Sequence, residues 1–142
     1  MRFWDSSAVV PLLVRETASG RVQDLFEADP VIVAWWATDL ECVSAIARQL
    51  RLRKLDEGTA GAGYDRLGAL RAGWHEVEPT EDIRESAKRL LRVHDLRTAD
   101  ALQLAAALFT SEDRPATLEF LSLDDRLVAA ARREGLAITK VA

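Results

Sequence analysis

Short apolar runs and longer amphipathic stretches take turns along this chain, and the alternation predicts its elements. Apolar-rich runs at residues 2–4, 31–36 (VIVAWW), 74–78 (WHEVE), 117–123 (TLEFLSL) and 137–141 (AITKV) read as five strands, the third the weakest. Between them, TDLECVSAIARQLRLRK (38–54) sets Leu40, Val43, Ala47, Leu50 and Leu52 near one face at helical spacing. TEDIRESAKRLLRV (80–93) and TADALQLAAALF (98–109) do the same, and each opens on a threonine suited to an N-cap, Thr80 and Thr98. Strands joined by helical crossovers predict an α/β fold. The expectation is a single domain over residues 1–142, a mostly parallel five-stranded sheet with helices on both faces.

One stretch resists the helical reading. EGTAGAGYDRLGALRAG (57–73) holds five of the seven glycines, and each interior glycine costs a helix about 1 kcal/mol relative to alanine. A loose helical connection with a turn is expected there. The glycines lack phosphate-loop spacing and follow no strand.

Composition narrows the class. With 142 residues, 49% of them hydrophobic and 30% charged, the chain can bury one core and is not of disordered type. The longest apolar run, AVVPLLV (8–14), contains Pro11 and follows Asp5 without a basic lead-in, so neither a membrane span nor a signal peptide is expected. The single cysteine, Cys42, rules out an internal disulfide, fits a reducing cytoplasm and sits in an apolar helical pattern that predicts burial. One cysteine and two histidines (His75 and His94) cannot build a zinc site of ordinary spacing. A net charge of −4 gives no support to a whole-surface nucleic-acid binder.

The informative feature is where the acids fall. Asp5 follows the first strand directly; Asp124 and Asp125 follow the fourth. Glu41 lies in the first turn of the helix after the second strand, and Asp100 in the first turn of the helix before the fourth. In an open parallel sheet, ligands bind at the carboxyl ends of the strands where the strand order reverses. Each acid also has a purely structural reading. First-turn carboxylates gain roughly 0.3–1 kcal/mol from the helix dipole; TDLE (38–41) is a formal capping box; Asp5 and Asp124 suit N-caps. Together, however, two carboxylates 4 Å apart repel by about 4 kcal/mol at an effective dielectric of 20. No lysine (Lys54, Lys88, Lys140) adjoins any of them. Such a cluster raises its own pKa values or recruits a cation, and an oxygen-only donor set selects Mg²⁺ or Mn²⁺.

FWDSSAVVPLLVRE, TDLECVSAIARQL, LRTADALQLAAAL and FLSLDDRLVAAARREGL, in that order over nearly the whole chain, resemble the four sequence blocks of PIN-domain ribonucleases. The likeness is greatest to the VapC toxins of VapBC toxin–antitoxin pairs. The resemblance implies that Asp5, Glu41, Asp100 and Asp124 hold a divalent metal and that Ser7 helps to position it. Asp125 competes with Asp124 for the fourth place; the S-x-D-x-R-L frame of residues 122–127 favours Asp124. Gln103 stands where relatives often carry histidine, which is expected to alter substrate contacts. The resemblance further implies a homodimer and a cytoplasmic VapB-like antitoxin that covers the site.

The expected reaction is Mg²⁺-dependent hydrolysis of RNA phosphodiester bonds, with Asp5 central, Asp100 and Asp124 completing one metal site and Glu41 binding a second metal or orienting water. Arg48, Arg51 and Arg53, with Lys54, form a basic patch at one helix end for RNA. Arg84, Lys88, Arg89 and Arg92 form another; solvated helix faces are the plain reading of both, and Glu81, Asp82 and Glu85 are interleaved with the second. Trp35 and Trp36 either stack on unpaired bases or pack in a core or dimer. Two alternatives stay open: a receiver-like phosphoryl-transfer module, and a catalytically inactive interaction protein of the same fold.

Overall fold

A computed structural model describes residues 1–112 and 117–141. Along the chain run β1 (Arg2–Trp4), α1 (Ser6–Leu13), α2 (Ser19–Ala28), β2 (Ile32–Trp35), α3 (Thr38–Arg51) and α4 (Glu57–Gly73). They are followed by β3 (His75–Val77), α5 (Glu81–Val93), α6 (Thr98–Thr110), β4 (Glu119–Leu121), α7 (Asp125–Arg133) and β5 (Ala137–Ile138). The strands form one sheet in the order β3-β2-β1-β4-β5, and every pairing is parallel.

Because successive strand residues point to opposite faces, each central strand feeds two cores. Phe3, Val33 and Phe120 face one layer, with Leu90 of α5, Leu104 of α6 and Leu127 of α7; the Phe3 and Phe120 rings stack 5.7 Å apart. Trp4, Ala34 and Leu121 face the other, with Val9 of α1, Ile46 of α3 and Leu67 of α4. The predicted α/β sheet with helices on both faces is thus present, wholly rather than mostly parallel. From β1 the chain winds outward to β2 and β3, then returns to the other side of β1 for β4 and β5. The strand order therefore reverses between β1 and β4.

Three local expectations are corrected. The glycine-rich segment is one continuous 17-residue helix, α4, begun by Asp56, whose side chain accepts from the Thr59 N–H. Tertiary contact supplies what propensity lacks: a Cβ on Gly63 would lie 3.0 Å from Val14 Cγ1 and 3.2 Å from Ile46 Cδ1. Glycine there lets α4 approach α1 and α3 closely. Second, α3 buries Thr38, Cys42 and Ile46, while Leu40, Val43 and Leu52 of the predicted stripe are exposed. Both stripes have helical period, and periodicity alone could not choose between them. Cys42 is buried as predicted, and its thiol pKa is pushed up by that burial.

Third, the threonine caps divide. Thr80 caps α5 by accepting from the Ile83 N–H. Thr98 does not cap α6, whose N-cap is Arg97, and Thr38 does not cap α3, whose N-cap is Ala37. TDLE is therefore not a working capping box, and its two polar ends, Thr38 and Glu41, are used elsewhere.

Candidate active site

The crevice at the β1–β4 reversal begins with the chain leaving β1. The Asp5 N–H still donates to Leu121 O at 2.9 Å, extending the β1–β4 pairing by one residue. Asp5 then turns into α1 as its N-cap, accepting from the Ser7 N–H at 3.3 Å. Its Oδ2 also accepts from the Ser7 hydroxyl, and from the Ser122 hydroxyl at 2.9 Å. The two serines lie 3.2 Å apart, and Ser7 Oγ accepts from the Leu123 N–H at 2.9 Å. All the described hydrogen bonds to the carboxylate converge on Oδ2, leaving Oδ1 free of protein donors among the described residues.

Asp5 is only 3% exposed. Burial raises its pKa; the Ser7 and Ser122 hydrogen bonds pull the other way, and the Asp100 charge adds to the rise. Glu41 is raised by burial too, opposed by hydrogen bonds from Ser6 and Gln103 and reinforced by the charges of Asp5 and Asp100. Asp100 is raised by burial and by Asp124, against the pull of Arg97. Repulsion thus links Asp5, Glu41 and Asp100 to one another, and Asp100 in turn to Asp124.

For Asp5 and Asp124 the structural readings hold as well. Asp124 caps α7, its Oδ1 accepting from the Arg126 and Leu127 N–H groups at 2.9 and 3.2 Å. Asp125 is exposed and lines a separate groove with Val128, Arg132 and Lys140, so Asp124 is the acid of the pair that acts on Asp100. Capping and clustering are compatible because a capping carboxylate uses one oxygen and leaves the other for the crevice.

Residues 2–133 match the family model of the PIN domain. This chain belongs to the PIN-domain family. Ribonuclease VapC45 of Mycobacterium tuberculosis (strain CDC 1551 / Oshkosh) is 31% identical to it over 106 residues, 75% of this chain and 74% of that protein. Among solved structures, the fold is similar to that of VapC20 of Mycobacterium tuberculosis, a sarcin-ricin loop cleaving toxin, with a TM-score of 0.69 and 18% identity, covering 92% of this chain and 95% of that one. A toxin–antitoxin complex from Klebsiella pneumoniae gives 0.68 and 15% over 100% of this chain and 98% of its counterpart.

PIN-domain nucleases generally depend on a divalent metal. The donor set of this PIN domain suits one. Among the described residues no ion pair is made by Asp5, Glu41, Asp100 or Asp124, so their negative charge has no fixed partner beyond the field of Arg97. Among those residues, too, no three acidic, histidine or cysteine side chains stand close enough together to hold a metal ion as placed. A divalent cation that keeps several of its waters needs only one or two protein carboxylates and so does not require three to converge.

Four supporting residues lie around the acids. Ser6 donates to Glu41 Oε2 at 2.7 Å, and Ser122 holds Asp5; the sequence offered no sign of either role, since each serine lies far along the chain from the acid it bonds. Gln103 and Thr38 bond to one another in the interior at 2.9 Å. Gln103 has no exposed surface, which corrects the expectation that it alters substrate contacts directly. Trp35 is core, whereas Trp36 is 43% exposed.

The basic patches separate clearly. Arg84, Lys88 and Arg89 pair with Glu81, Glu85 and Glu134, as a solvated face does. Arg48 lines a groove of about 490 Å³ that runs from Glu41 past Ser44 to Lys54. Arg51 and Arg53 are exposed at the end of α3, outside that groove's lining.

Proposed function

We propose that this protein is a metal-dependent endoribonuclease, the toxin of a toxin–antitoxin pair, with Asp5, Asp100 and Asp124 holding Mg²⁺ (or Mn²⁺) and Glu41 serving the attacking water. The observation that carries the reading is Asp5. It is a buried carboxylate at the strand-order reversal, fixed through one oxygen by two serines, open at the other, and surrounded by acids rather than by cations. Burying such a group without a partner is costly, and a hard cation would offset that cost. The ribonuclease name of its 31% identical relative supports the same reading.

When bound, the cation activates water at neutral pH and offsets charge on the departing oxygen. Ser7 and Ser122 hold Asp5 so that its free oxygen stays presented to the crevice. Asp124, immobilised as a helix cap, and Asp100, in the first turn of α6, supply carboxylates from the other side. Glu41, held by Ser6 and Gln103, would accept a proton from the water it orients, and burial makes it a stronger base than an exposed glutamate. No side-chain nucleophile is required. RNA phosphates would follow the groove from Glu41 past Arg48 to Lys54, with Arg51 and Arg53 at its far end.

The partner would be a VapB-like antitoxin covering this crevice, and the protein would act as a homodimer in the cytoplasm. No described helix is long and apolar enough to cross a membrane. The test is cleavage of a structured RNA by purified protein, with EDTA, with Mg²⁺ restored, and with Asp5→Asn as control. Cleavage that is lost with EDTA, regained with Mg²⁺ and absent in Asp5→Asn is the expected outcome. Cleavage by Asp5→Asn at the wild-type rate would refute the assignment.

A further inference from the structure

Gln103 lies one helical turn after Asp100 on α6 and is fully buried. Its side-chain nitrogen donates to Thr38 Oγ1 at 2.9 Å and approaches both Glu41 oxygens, at 3.3 and 3.2 Å. The amide's two hydrogens therefore serve α3 at both Thr38 and Glu41. Its other end is poorly served: Oε1 is buried without a hydrogen-bond partner among the described residues. A buried unsatisfied acceptor is expensive, and an apolar side chain of the same shape would avoid it. Inverting the amide would be worse, because it would set an acceptor against the Glu41 carboxylate. Neither helix propensity nor core packing calls for glutamine here. What the amide does accomplish is to tie the helix carrying Asp100 to the residue that carries the opposite carboxylate.

We infer that Gln103 is a positioning residue for Glu41: anchored on Thr38, its amide fixes the Glu41 carboxylate relative to Asp5 and Asp100. The inference rests on Glu41 belonging to the working site, as proposed above. Because Gln103 is buried, it acts through Glu41 and does not touch RNA. Outer partners that orient metal-site carboxylates typically change metal affinity or activity by roughly 10–100-fold when removed.

The test uses Gln103→Met, which keeps the length and removes the amide, and Gln103→His, which keeps an N–H donor. Each is assayed for steady-state RNA cleavage, for Mn²⁺ binding followed by the resonance of free Mn²⁺, and for thermal melting. Gln103→Met is expected to lower kcat and weaken Mn²⁺ binding by about 10-fold or more. KM should hold near wild type, while melting falls because buried Thr38 and Glu41 lose their donor. Gln103→His is expected to recover most of the loss, and in a Glu41→Gln background Gln103→Met should have no further effect.

Should Gln103→Met fail to fold, Thr38→Val removes the anchor instead and should lower kcat in the same direction. Wild-type kcat and Mn²⁺ affinity in Gln103→Met, alongside an impaired Glu41→Gln, would overturn the positioning role and leave the nuclease reading standing. Wild-type behaviour of Glu41→Gln would remove that reading of Glu41 and this inference with it. An equal loss from Gln103→Met with and without Glu41 would mean a structural role only.

Discussion

Asp5 concentrates the physics of the site in one side chain. Its carboxyl is raised above the ordinary aspartate value of 3.8 by burial, so ionising it costs more in the native than in the unfolded state. The resulting penalty is absent below 3.8, grows as pH rises towards the native-state value, and is full above it. Asp5→Asn should therefore abolish cleavage yet raise the melting temperature at pH 7, and the gain over wild type should vanish as pH falls below about 4. Melts of both proteins across that range check the sign. Ser122→Ala should act oppositely: losing a hydrogen bond to a charged group costs about 1.5–3 kcal/mol, measurable by urea unfolding. Asp5 and Asp124 stood out in the sequence because ionised residues directly after apolar strands are unusual, whereas Glu41 and Asp100 lie in first helical turns, where acids are common. Ser6, Ser122 and the Thr38–Gln103 pair were not, since nothing local distinguishes a serine that orients a carboxylate from one facing water.

Helices α3 and α4 mark where local sequence stops specifying structure. Glycine content argued against α4, yet the segment is helical throughout because Asp56 starts it and Ala60, Gly63 and Leu67 pack inward. The glycines are not equivalent. Nothing lies within 4 Å of a Cβ placed on Gly61 or Gly68, so alanine at either should add up to about 1 kcal/mol of stability. Gly63→Val should lower it by about 1–3 kcal/mol through overpacking against Val14 and Ile46. Denaturant midpoints of the variants separate the two outcomes. On α3 the misread face followed from ranking leucine and valine above cysteine and threonine. The stripe that is buried carries Thr38, which is there to hold Gln103 rather than to cap a helix.

At the scale of the whole molecule, an acidic protein must bind an anionic polymer by local charge. If the groove from Glu41 to Lys54 carries the RNA, Arg48→Ala should reduce the slope of log affinity against log salt by about 0.7, the single-strand value for one lost phosphate contact. Saturating Mg²⁺ at a hundred times its dissociation constant should stabilise the wild type by about 2.7 kcal/mol and leave Asp5→Asn almost unaffected. The parallel sheet was readable because helical crossovers join its strands, but its strand order was not. The pairing of β1 with β4 has a further effect on timing. Asp5 and Ser122 are 117 positions apart, and chains leave the ribosome N-terminal end first. A nascent chain that has displayed Asp5, Glu41 and Asp100 still lacks the strand that locks the first of them and the helix cap that supplies Asp124. If the acids act as proposed, the site is completed only once Ser122 and Asp124 have joined the growing chain, 117 and 119 positions after Asp5.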